Sequence, residues 1–273
     1  MKLIAYQKGN DRIMAKVLDD MVLPFASLED FWAAPQKGLS TAKQTTSGGE
    51  SIAHVKQIPP LPDTARVLCA GLNYTGHIEE THLKAPKFPD IFARWRSTLV
   101  VNGEAVPIPP RDDWFDWEGE LAVIIGEELR DVNAEAAQAS FLGYACFNDL
   151  SARKFQMASD RWALGKNADK SGPLGPWIVT ADEIPDPNKL RITTHVNGNV
   201  VQDGNTANLI FSGAHIAAYA SGVMTLKPGD LIATGTPDGV GVSRKPPMFL
   251  NPGDTVTVEI EQIGKITNRI VQR

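Results

Sequence analysis

Residues 116–125 read DWEGELAVII, an apolar stretch that opens with two closely spaced glutamates. Side chains alternate between the two faces of a β-strand, so Glu118 and Glu120 share one face while Leu121 and Val123 share the other. Two neighbouring carboxylates repel each other unless a cation or protons come between them, and oxygen ligands favour Mg²⁺, Mn²⁺ or Ca²⁺ over zinc. The stretch therefore predicts a strand with either a divalent-cation site or two solvated acids on an exposed face.

A third carboxylate would favour the cation site over the exposed face. Asp149 follows another apolar run, residues 141–147, and is available as that third ligand. Its distance from the two glutamates depends on how the two runs pair, and the spacing alone does not determine this pairing.

Further strands are predicted on both sides of this stretch. A two-residue Asn-Gly turn at 197–198 between β-branched segments predicts a hairpin. Because strands outnumber helices and do not alternate with them, a doubly wound parallel sheet is disfavoured. We expect a rolled mixed β-sheet or β-sandwich with peripheral helices. The predicted strands are 66–70, 118–126, 177–180, 190–196 and 255–260, and the predicted helices are 133–140 and 209–220.

The first 60 residues differ in pattern from the rest of the chain. Ser27 followed by acidic residues is typical of a helix N-cap, and the polar stretch 41–50 predicts a loop. The proline-rich stretch 59–62 is a stiff linker because proline fixes φ and lacks a backbone donor. We therefore predict a small N-terminal domain, residues 1–60, followed by a larger catalytic domain, residues 61–273.

The composition excludes several function classes. The chain has 273 residues, is 42% hydrophobic and 22% charged, and carries a formal net charge of −5, which disfavours disorder and nucleic-acid or anionic-membrane partners. Cys69 and Cys146 lie in apolar runs and are expected to be buried free thiols, as in a reducing compartment. The charged N-terminal segment does not resemble a signal peptide, and the apolar runs are too short for a membrane helix. We expect a cytoplasmic protein.

A second group of candidate residues lies in 71–80, which reads GLNYTGHIEE. The glycine ends a predicted strand, and the following residues can form one helical turn that brings His77 and Glu80 together at i and i+3. A carboxylate beside an imidazole orients the ring and raises its basicity, which suits general-base activation of water. A surface salt bridge is the alternative interpretation of this pair.

Two glycine-rich loops supply the remaining candidates. Lys166, in a loop that reads GKNADKSGPLGP from residue 165, is either a ligand for a substrate carboxylate or enolate oxygen or a solvated loop cation. Residues 235–241 read GTPDGVG, but this spacing and the prolines that follow fit neither a P-loop nor a dinucleotide-binding turn. A loop that presents Thr236 and backbone amides to an anionic ligand is the remaining interpretation.

Taken together and in this order, the motifs resemble the fumarylacetoacetate hydrolase family, in particular its short bacterial members. The resemblance covers residues 66–273. It rests on Gly71-Leu72-Asn73-Tyr74 with His77 and Glu80, residues 116–120, Asn148-Asp149 with Arg153 and Gln156, Gly165-Lys166 with Pro173-Leu174-Gly175-Pro176, and Gly235-Thr236-Pro237 with Gly239-Val240-Gly241.

The resemblance implies an α+β, mainly β fold: a mixed β-sandwich roll with a small N-terminal α/β domain, usually assembled as a homodimer. It implies Mg²⁺ or Mn²⁺ held by Glu118, Glu120 and Asp149. It also implies that His77 and Glu80 form a water-activating dyad on a lid.

The resemblance further implies that Lys166 stabilises an enolate and that Arg153, Gln156 and Thr236 contact the substrate. Many relatives carry a lysine two residues after the phenylalanine of the next strand, where this chain has Arg94. Arginine keeps the positive charge but prefers bidentate pairing with carboxylates, so Arg94 is a further expected substrate contact.

The expected reaction is metal-dependent hydrolysis of a carbon–carbon bond in a 2,4-dioxo acid, an acylpyruvate, to pyruvate and a carboxylic acid. The expected partner is therefore a small anionic keto acid. The alternative is decarboxylation or tautomerisation of oxaloacetate-like acids, or isomerisation of 2-hydroxymuconate-type dienoates. A non-catalytic, metal-dependent binder is the third interpretation.

Overall fold

Strands dominate the fold in the computed structural model, which describes residues 1–81 and 84–273 of the chain. The strands are β1 (Lys2–Lys8), β2 (Asp11–Leu18), β3 (Met21–Ser27), β4 (Glu50–Ser51), β5 (Lys56–Ile58), β6 (Val67–Gly71), β7 (Asp90–Arg94), β8 (Leu99–Val100), β9 (Val106–Ile108), β10 (Phe115–Asp116), β11 (Gly119–Ile125), β12 (Phe141–Asn148), β13 (Ser151–Ala152), β14 (Gly172–Thr180), β15 (Arg191–Val196), β16 (Asn199–Asn205), β17 (Leu231–Ala233), β18 (Thr255–Ile260) and β19 (Gly264–Gln272). The α-helices are α1 (Leu28–Ala33), α2 (Pro35–Gln44), α3 (Thr75–Thr81), α4 (Ala134–Ala139), α5 (Arg153–Met157), α6 (Ala163–Lys166) and α7 (Gly213–Ser221).

Two mixed sheets form the body of the protein. The larger sheet has the order β4-β3-β2-β1-β14-β12-β11-β17-β6-β7, with β5 paired to β1 and β8 paired to β14. The smaller sheet has the order β16-β15-β18-β19-β9, and β10 pairs with β13. Most pairs are antiparallel, whereas β17–β6, β14–β8 and β19–β9 are parallel. The predicted mainly β, α+β fold is confirmed.

The central strand β11 is covered on both faces. Leu121 and Val123 belong to a core that includes residues of α7 and of β18, while Ala122 and Ile124 belong to a second core with residues of β1 and α1. A strand between two apolar layers has no solvated face. The interpretation of the glutamates as solvated acids on an exposed face is therefore wrong.

The N-terminal segment extends the larger sheet. Strand β1 pairs with β2 through a hairpin and also with β14, where Lys2 lies opposite Val179. Ser27 caps α1 as predicted, since its hydroxyl accepts a hydrogen bond from the Asp30 N–H. The predicted loop 41–50 is wrong at its start, because α2 continues to Gln44 and buries Ala42. The proposed domain boundary at residue 60 stays a prediction.

Several local predictions agree with the structure. The Asn-Gly hairpin joins β15 to β16, and β18 has the predicted bounds. Helix α7 begins later than predicted, because Leu209 forms an isolated β-bridge with Tyr74 and Ser212 provides the N-cap. Both cysteines are free and buried. Within the described residues, none of the helices is long and apolar enough to cross a membrane.

Candidate active site

Three buried carboxylates meet where β11 and β12 pair. Gly119 lies opposite Asn148, and the Asp149 N–H donates to the Glu118 carbonyl at 2.9 Å, so this register places both acids at the same end of the strand pair. Glu120 lies two residues along the same face of β11. Oxygen atoms of Glu118, Glu120 and Asp149 lie within 4.8 Å of one another. This all-carboxylate donor set fits Mg²⁺ or Mn²⁺.

Lys166 lies directly against this cluster. Its Nζ donates to Glu118 Oε2 at 2.6 Å and to Asp149 Oδ2 at 2.8 Å, and its side chain is only 3% exposed. Burial alone would lower the pKa of Lys166, but Asp149 and Glu118 raise it above its ordinary value. The side chain is therefore a buried, charged ammonium, and the alternative of a solvated loop cation is wrong.

Two arginines complete the charge arrangement. Arg94 pairs with Asp149 and donates to Ser171 Oγ at 2.5 Å, with a fully buried side chain. Arg153 pairs with Glu118 at 2.6 Å and with Asp116 at 2.8 Å. Asp149 therefore pairs with Arg94 and Glu118 pairs with Arg153, and both carboxylates also pair with Lys166.

Glu118, which directly precedes β11, and Glu120, on β11, have pKa values that are shifted in opposite directions. Burial would raise the pKa of Glu118, but Lys166 and Arg153 lower it to about 2. Burial raises the pKa of Glu120 well above its ordinary value, and Asp149 and Glu118 raise it further. The cations beside Glu118 therefore favour its ionised form, whereas burial next to two other carboxylates favours the protonated form of Glu120.

A cavity of about 200 Å³ opens beside the cluster. Seven of the ten predicted site residues line it, and apolar side chains form the rest of the wall. The predicted lining residues are His77, Glu118, Glu120, Arg153, Gln156, Lys166 and Thr236, and the apolar ones include Leu72, Phe92, Met157, Trp162 and Val242. This volume suits a small organic molecule rather than a polymer.

Of the predicted residues, Glu80, Arg94 and Asp149 are not among those lining the cavity. Asp149 pairs with Lys166, and Arg94 in turn pairs with Asp149. The Arg94 guanidinium contacts Asp149 and Ser171 and so supports the cluster, and its predicted substrate contact stays a prediction.

His77 and Glu80 form the expected pair on α3. His77 Nδ1 lies 2.7 Å from Glu80 Oε1, and Glu80 Oε2 accepts the Gly239 N–H at 2.9 Å. The two side chains are 12% and 20% exposed, so they do not form a solvated surface salt bridge. With Nδ1–H directed to Glu80, Nε2 is the basic nitrogen of the ring.

The glycine-rich loop 235–241 holds the site's carboxylates together. The N–H groups of Gly235, Gly239 and Gly241 donate to Glu120, Glu80 and Asp116 at 2.8, 2.9 and 2.7 Å. Gly235 and Gly239 have φ values of +97° and +98°, which favour glycine. The sequence predicted backbone amides that face an anionic ligand, but these three bind the protein's own anions.

Two site residues were not assigned from the sequence. Asp116 accepts hydrogen bonds from the N–H groups of Gly241 and Val242 and from the Arg153 guanidinium, so it fixes Arg153 on the cavity wall. The position of Asp116 in the 116–120 motif was the feature of the sequence that could have identified it. Gln202 lies on β16 in the other sheet and reaches both Gly119 and Thr236, and no sequence signal pointed to it.

Arg94→Met is expected to lower the free energy of unfolding of the metal-free protein by about 3 to 5 kcal/mol, the usual cost of removing one partner of a buried ion pair. Chemical denaturation would measure the change, with the exposed Arg111→Met as control. A loss no larger than that of the control would show that Arg94 does not stabilise the cluster.

A known protein family matches the part of the chain that contains these residues. The sequence model described as "Fumarylacetoacetate (FAA) hydrolase C-terminal" matches residues 66–271, which is more than half of the chain. The chain belongs to the fumarylacetoacetate hydrolase family. The family resemblance predicted from the motifs is confirmed, and the match includes all ten predicted site residues.

Relatives within the fumarylacetoacetate hydrolase family carry different activities in their names. The human mitochondrial oxaloacetate tautomerase FAHD2A is 40% identical over 257 residues, which cover 92% of this chain and 82% of that protein. A 5-carboxymethyl-2-hydroxymuconate delta-isomerase from Mycobacterium smegmatis is 31% identical, with a TM-score of 0.82 and full coverage of both chains. A fumarylacetoacetate hydrolase from Exiguobacterium antarcticum is 30% identical, with a TM-score of 0.84 and full coverage of both chains.

Proposed function

We propose that this protein is a metal-dependent tautomerase that interconverts the keto and enol forms of small 2-oxo dicarboxylic acids of the oxaloacetate type. The observation that carries the proposal is one small cavity whose wall contains a carboxylate-oriented histidine, a buried ammonium and part of a three-carboxylate cluster. The name of the human relative supports the same reaction. This was the alternative expected from the sequence, and it takes the place of the hydrolase as leading function.

Glu118, Glu120 and Asp149 would hold the Mg²⁺ or Mn²⁺, which when bound acts as a Lewis acid on the 2-oxo group of the substrate. His77, oriented by Glu80, takes a proton from the carbon next to the 2-oxo group and returns it in the reverse direction. The Lys166 ammonium stabilises the negative charge that develops on the enolate oxygen. Arg153 and Gln156 lie on the wall as donors for the substrate carboxylate. The enol hydroxyl exchanges its proton with solvent, so the scheme balances without a water molecule that acts as a nucleophile.

Carbon–carbon bond hydrolysis of an acylpyruvate is the second candidate. The hydrogen bond between His77 and Glu80 favours it, because the same pair could activate a water molecule instead of a substrate proton. The fumarylacetoacetate hydrolase from Exiguobacterium antarcticum supports it by its name. The non-catalytic binder is the least supported interpretation, since a pure binder needs neither the base nor the buried lysine.

A turnover assay on chelator-treated protein, with and without Mg²⁺ or Mn²⁺, separates these functions. The substrates are enol-oxaloacetate, a series of acylpyruvates and a carboxymethyl-hydroxymuconate. We expect metal-dependent ketonisation of oxaloacetate, followed by the loss of enol absorbance, and no cleavage of acylpyruvates. Pyruvate plus an acid from an acylpyruvate, without ketonisation, would establish the hydrolase, and carbon dioxide from oxaloacetate would establish a decarboxylase.

His77→Ala is expected to lower kcat for ketonisation by about 10²- to 10⁴-fold, the usual contribution of a general base. Metal affinity, measured by calorimetry, is expected to stay within about twofold, because the three carboxylates are unchanged. His54→Ala, an exposed histidine, is the control. If His77→Ala loses the metal instead of the activity, the assignment of His77 as the base is wrong.

The assembly and the location of the protein stay predictions. We propose a homodimer and a cytoplasmic location, as the resemblance and the composition led us to expect. Light scattering on the purified protein measures the first, and fractionation of cells that produce the protein measures the second.

A further inference from the structure

Gln202 connects the smaller sheet to the active-site strand. Gln202 lies on β16 and is only 2% exposed, and its carboxamide reaches β11 and the loop 235–241. Oε1 accepts the Gly119 N–H at 3.0 Å, while Nε2 donates to Thr236 Oγ1 and to the Pro237 carbonyl, both at 2.8 Å. Gly119 separates the two glutamates of the carboxylate cluster, so this contact is made at the centre of the site.

The chemistry of the backbone partners fixes the orientation of the amide. The Gly119 N–H can only donate, so the atom facing it is the amide oxygen of Gln202. The Pro237 carbonyl can only accept, so the atom facing it is the amide nitrogen. The same nitrogen therefore donates its other hydrogen to Thr236.

The hydroxyl of Thr236 is oriented by the same reasoning. Thr236 Oγ1 lies 3.0 Å from the Gly119 carbonyl, which can only accept, so the single hydroxyl hydrogen points there. One lone pair accepts from Gln202, and one lone pair remains. Thr236 lines the cavity, and any hydrogen bond between its hydroxyl and a ligand is one that the hydroxyl accepts. A keto oxygen or carboxylate cannot donate to it, whereas an enol hydroxyl can.

We propose that Gln202 is a positioning residue that acts through Thr236: it fixes the threonine hydroxyl as an acceptor for the enol hydroxyl of the substrate. The proposal rests on the proposed function. Gln202 itself uses both amide hydrogens within the protein, so it does not contact the substrate in this arrangement. Its side chain holds the hydroxyl in the one rotation that favours the enol form in the cavity.

A double-mutant cycle with Gln202→Met, Thr236→Val and the double variant tests the coupling. Because small displacements in an active site cost up to about a hundredfold in rate, Gln202→Met is expected to lower kcat/KM for enol-oxaloacetate by about 10- to 100-fold. In the Thr236→Val background the same change is expected to cost less than about threefold, because the hydroxyl that Gln202 orients is gone. Calorimetry is expected to show the same Mg²⁺ affinity in all four proteins.

Asn268→Leu is the matched control for a purely structural loss. Asn268 is also a buried amide of the smaller sheet, and its Nδ2 donates to the carbonyls of Val101 and Glu104 at 2.9 and 2.8 Å, away from the residues that line the cavity. We expect Asn268→Leu to destabilise the protein about as much as Gln202→Met, with kcat/KM within about twofold of wild type.

Each outcome of this cycle has a definite meaning. Equal effects of Gln202→Met in both backgrounds, or an effect no larger than that of Asn268→Leu, would overturn the positioning role and leave the tautomerase intact. A wild-type protein that does not ketonise enol-oxaloacetate would overturn the proposed function, and the role of Gln202 toward the enol with it.

Discussion

Glu120→Gln is expected to stabilise the metal-free protein at neutral pH and to remove its response to Mg²⁺ or Mn²⁺. The pKa of Glu120 is raised well above its ordinary value of 4.5 in the folded state. A group with a raised folded pKa stabilises the fold below the unfolded pKa, and this contribution is lost as pH rises through the folded pKa. Glutamine is neutral in both states and can accept the Gly235 N–H in the same way, so the substitution removes the pH-dependent loss.

The free energy of unfolding at pH 7 is expected to be higher for the Gln variant than for the wild type, because the wild-type carboxyl has a raised pKa in the folded state. The gain is expected to disappear as pH falls below about 4.5, where the unfolded carboxyl is protonated as well. Added Mg²⁺ is expected to raise the unfolding free energy of the wild type, since a ligand that binds only the native state stabilises it. The Gln variant loses one of the three carboxylates and is expected to show no such rise.

Urea denaturation between pH 4 and pH 8, with chelator and with Mg²⁺, measures all of these effects. Glu128→Gln, an exposed glutamate, controls for the loss of one negative charge. A Gln variant that is less stable than the wild type without metal would show that Glu120 is ionised there. A Gln variant that still responds to Mg²⁺ would show that Glu120 is not a ligand.

The sequence predicted those parts of the fold that local chemistry determines. The Asn-Gly hairpin, the Ser27 cap and strand β18 follow from residues within a few positions of one another. The extent of α2 does not, because buried Ala42 continues the helix into a stretch that is polar in sequence. Burial by distant elements overrides local propensity at that position.

The site was predictable from the sequence only where a motif carried it. Glu118 and Glu120 could be placed on one face from strand periodicity, but the approach of Asp149 depends on the register of β11 against β12. The contact between Gln202 and Gly119 joins residues 83 positions apart and two different sheets. Its physical basis is that the buried Gly119 N–H needs an acceptor, and the Gln202 oxygen reaches it only once the sheets are packed.

The positive charge of Arg94 does not by itself show whether this side chain contacts a substrate or another residue of the protein. The sequence identified a cation next to an expected anionic substrate, which made Arg94 a candidate ligand. In the structure, Asp149 accepts from this guanidinium, and the arginine side chain is fully buried. One guanidinium nitrogen donates to Asp149 and the other to Ser171, so the planar group binds two acceptors inside the protein. The cationic side chains that line the cavity are Arg153 and Lys166.

Lys166→Met is expected to abolish most activity while the protein keeps or strengthens its metal affinity. The ammonium lies 2.6 Å from Glu118 and 2.8 Å from Asp149, so it competes with a metal ion for the same oxygens. Its removal leaves Glu118 with Arg153 and Asp149 with Arg94, and the cluster becomes more negative by one charge. A divalent cation is attracted more strongly to such a cluster.

The expected fall in kcat/KM for Lys166→Met is about 10²- to 10³-fold, the usual cost of losing one charged or polar group that stabilises a developing oxyanion. Steady-state kinetics measures this fall at saturating Mg²⁺, and calorimetry measures the affinity for Mg²⁺. The control is Lys170→Met, an exposed lysine of the same loop. If activity and metal affinity fall together, Lys166 serves the assembly of the site, because an enolate-stabilising lysine can be lost without loss of the metal. If activity falls while Mg²⁺ binds as tightly or more tightly, the ammonium acts on the substrate, and the buried cluster has been holding a catalytic group as well as a metal site.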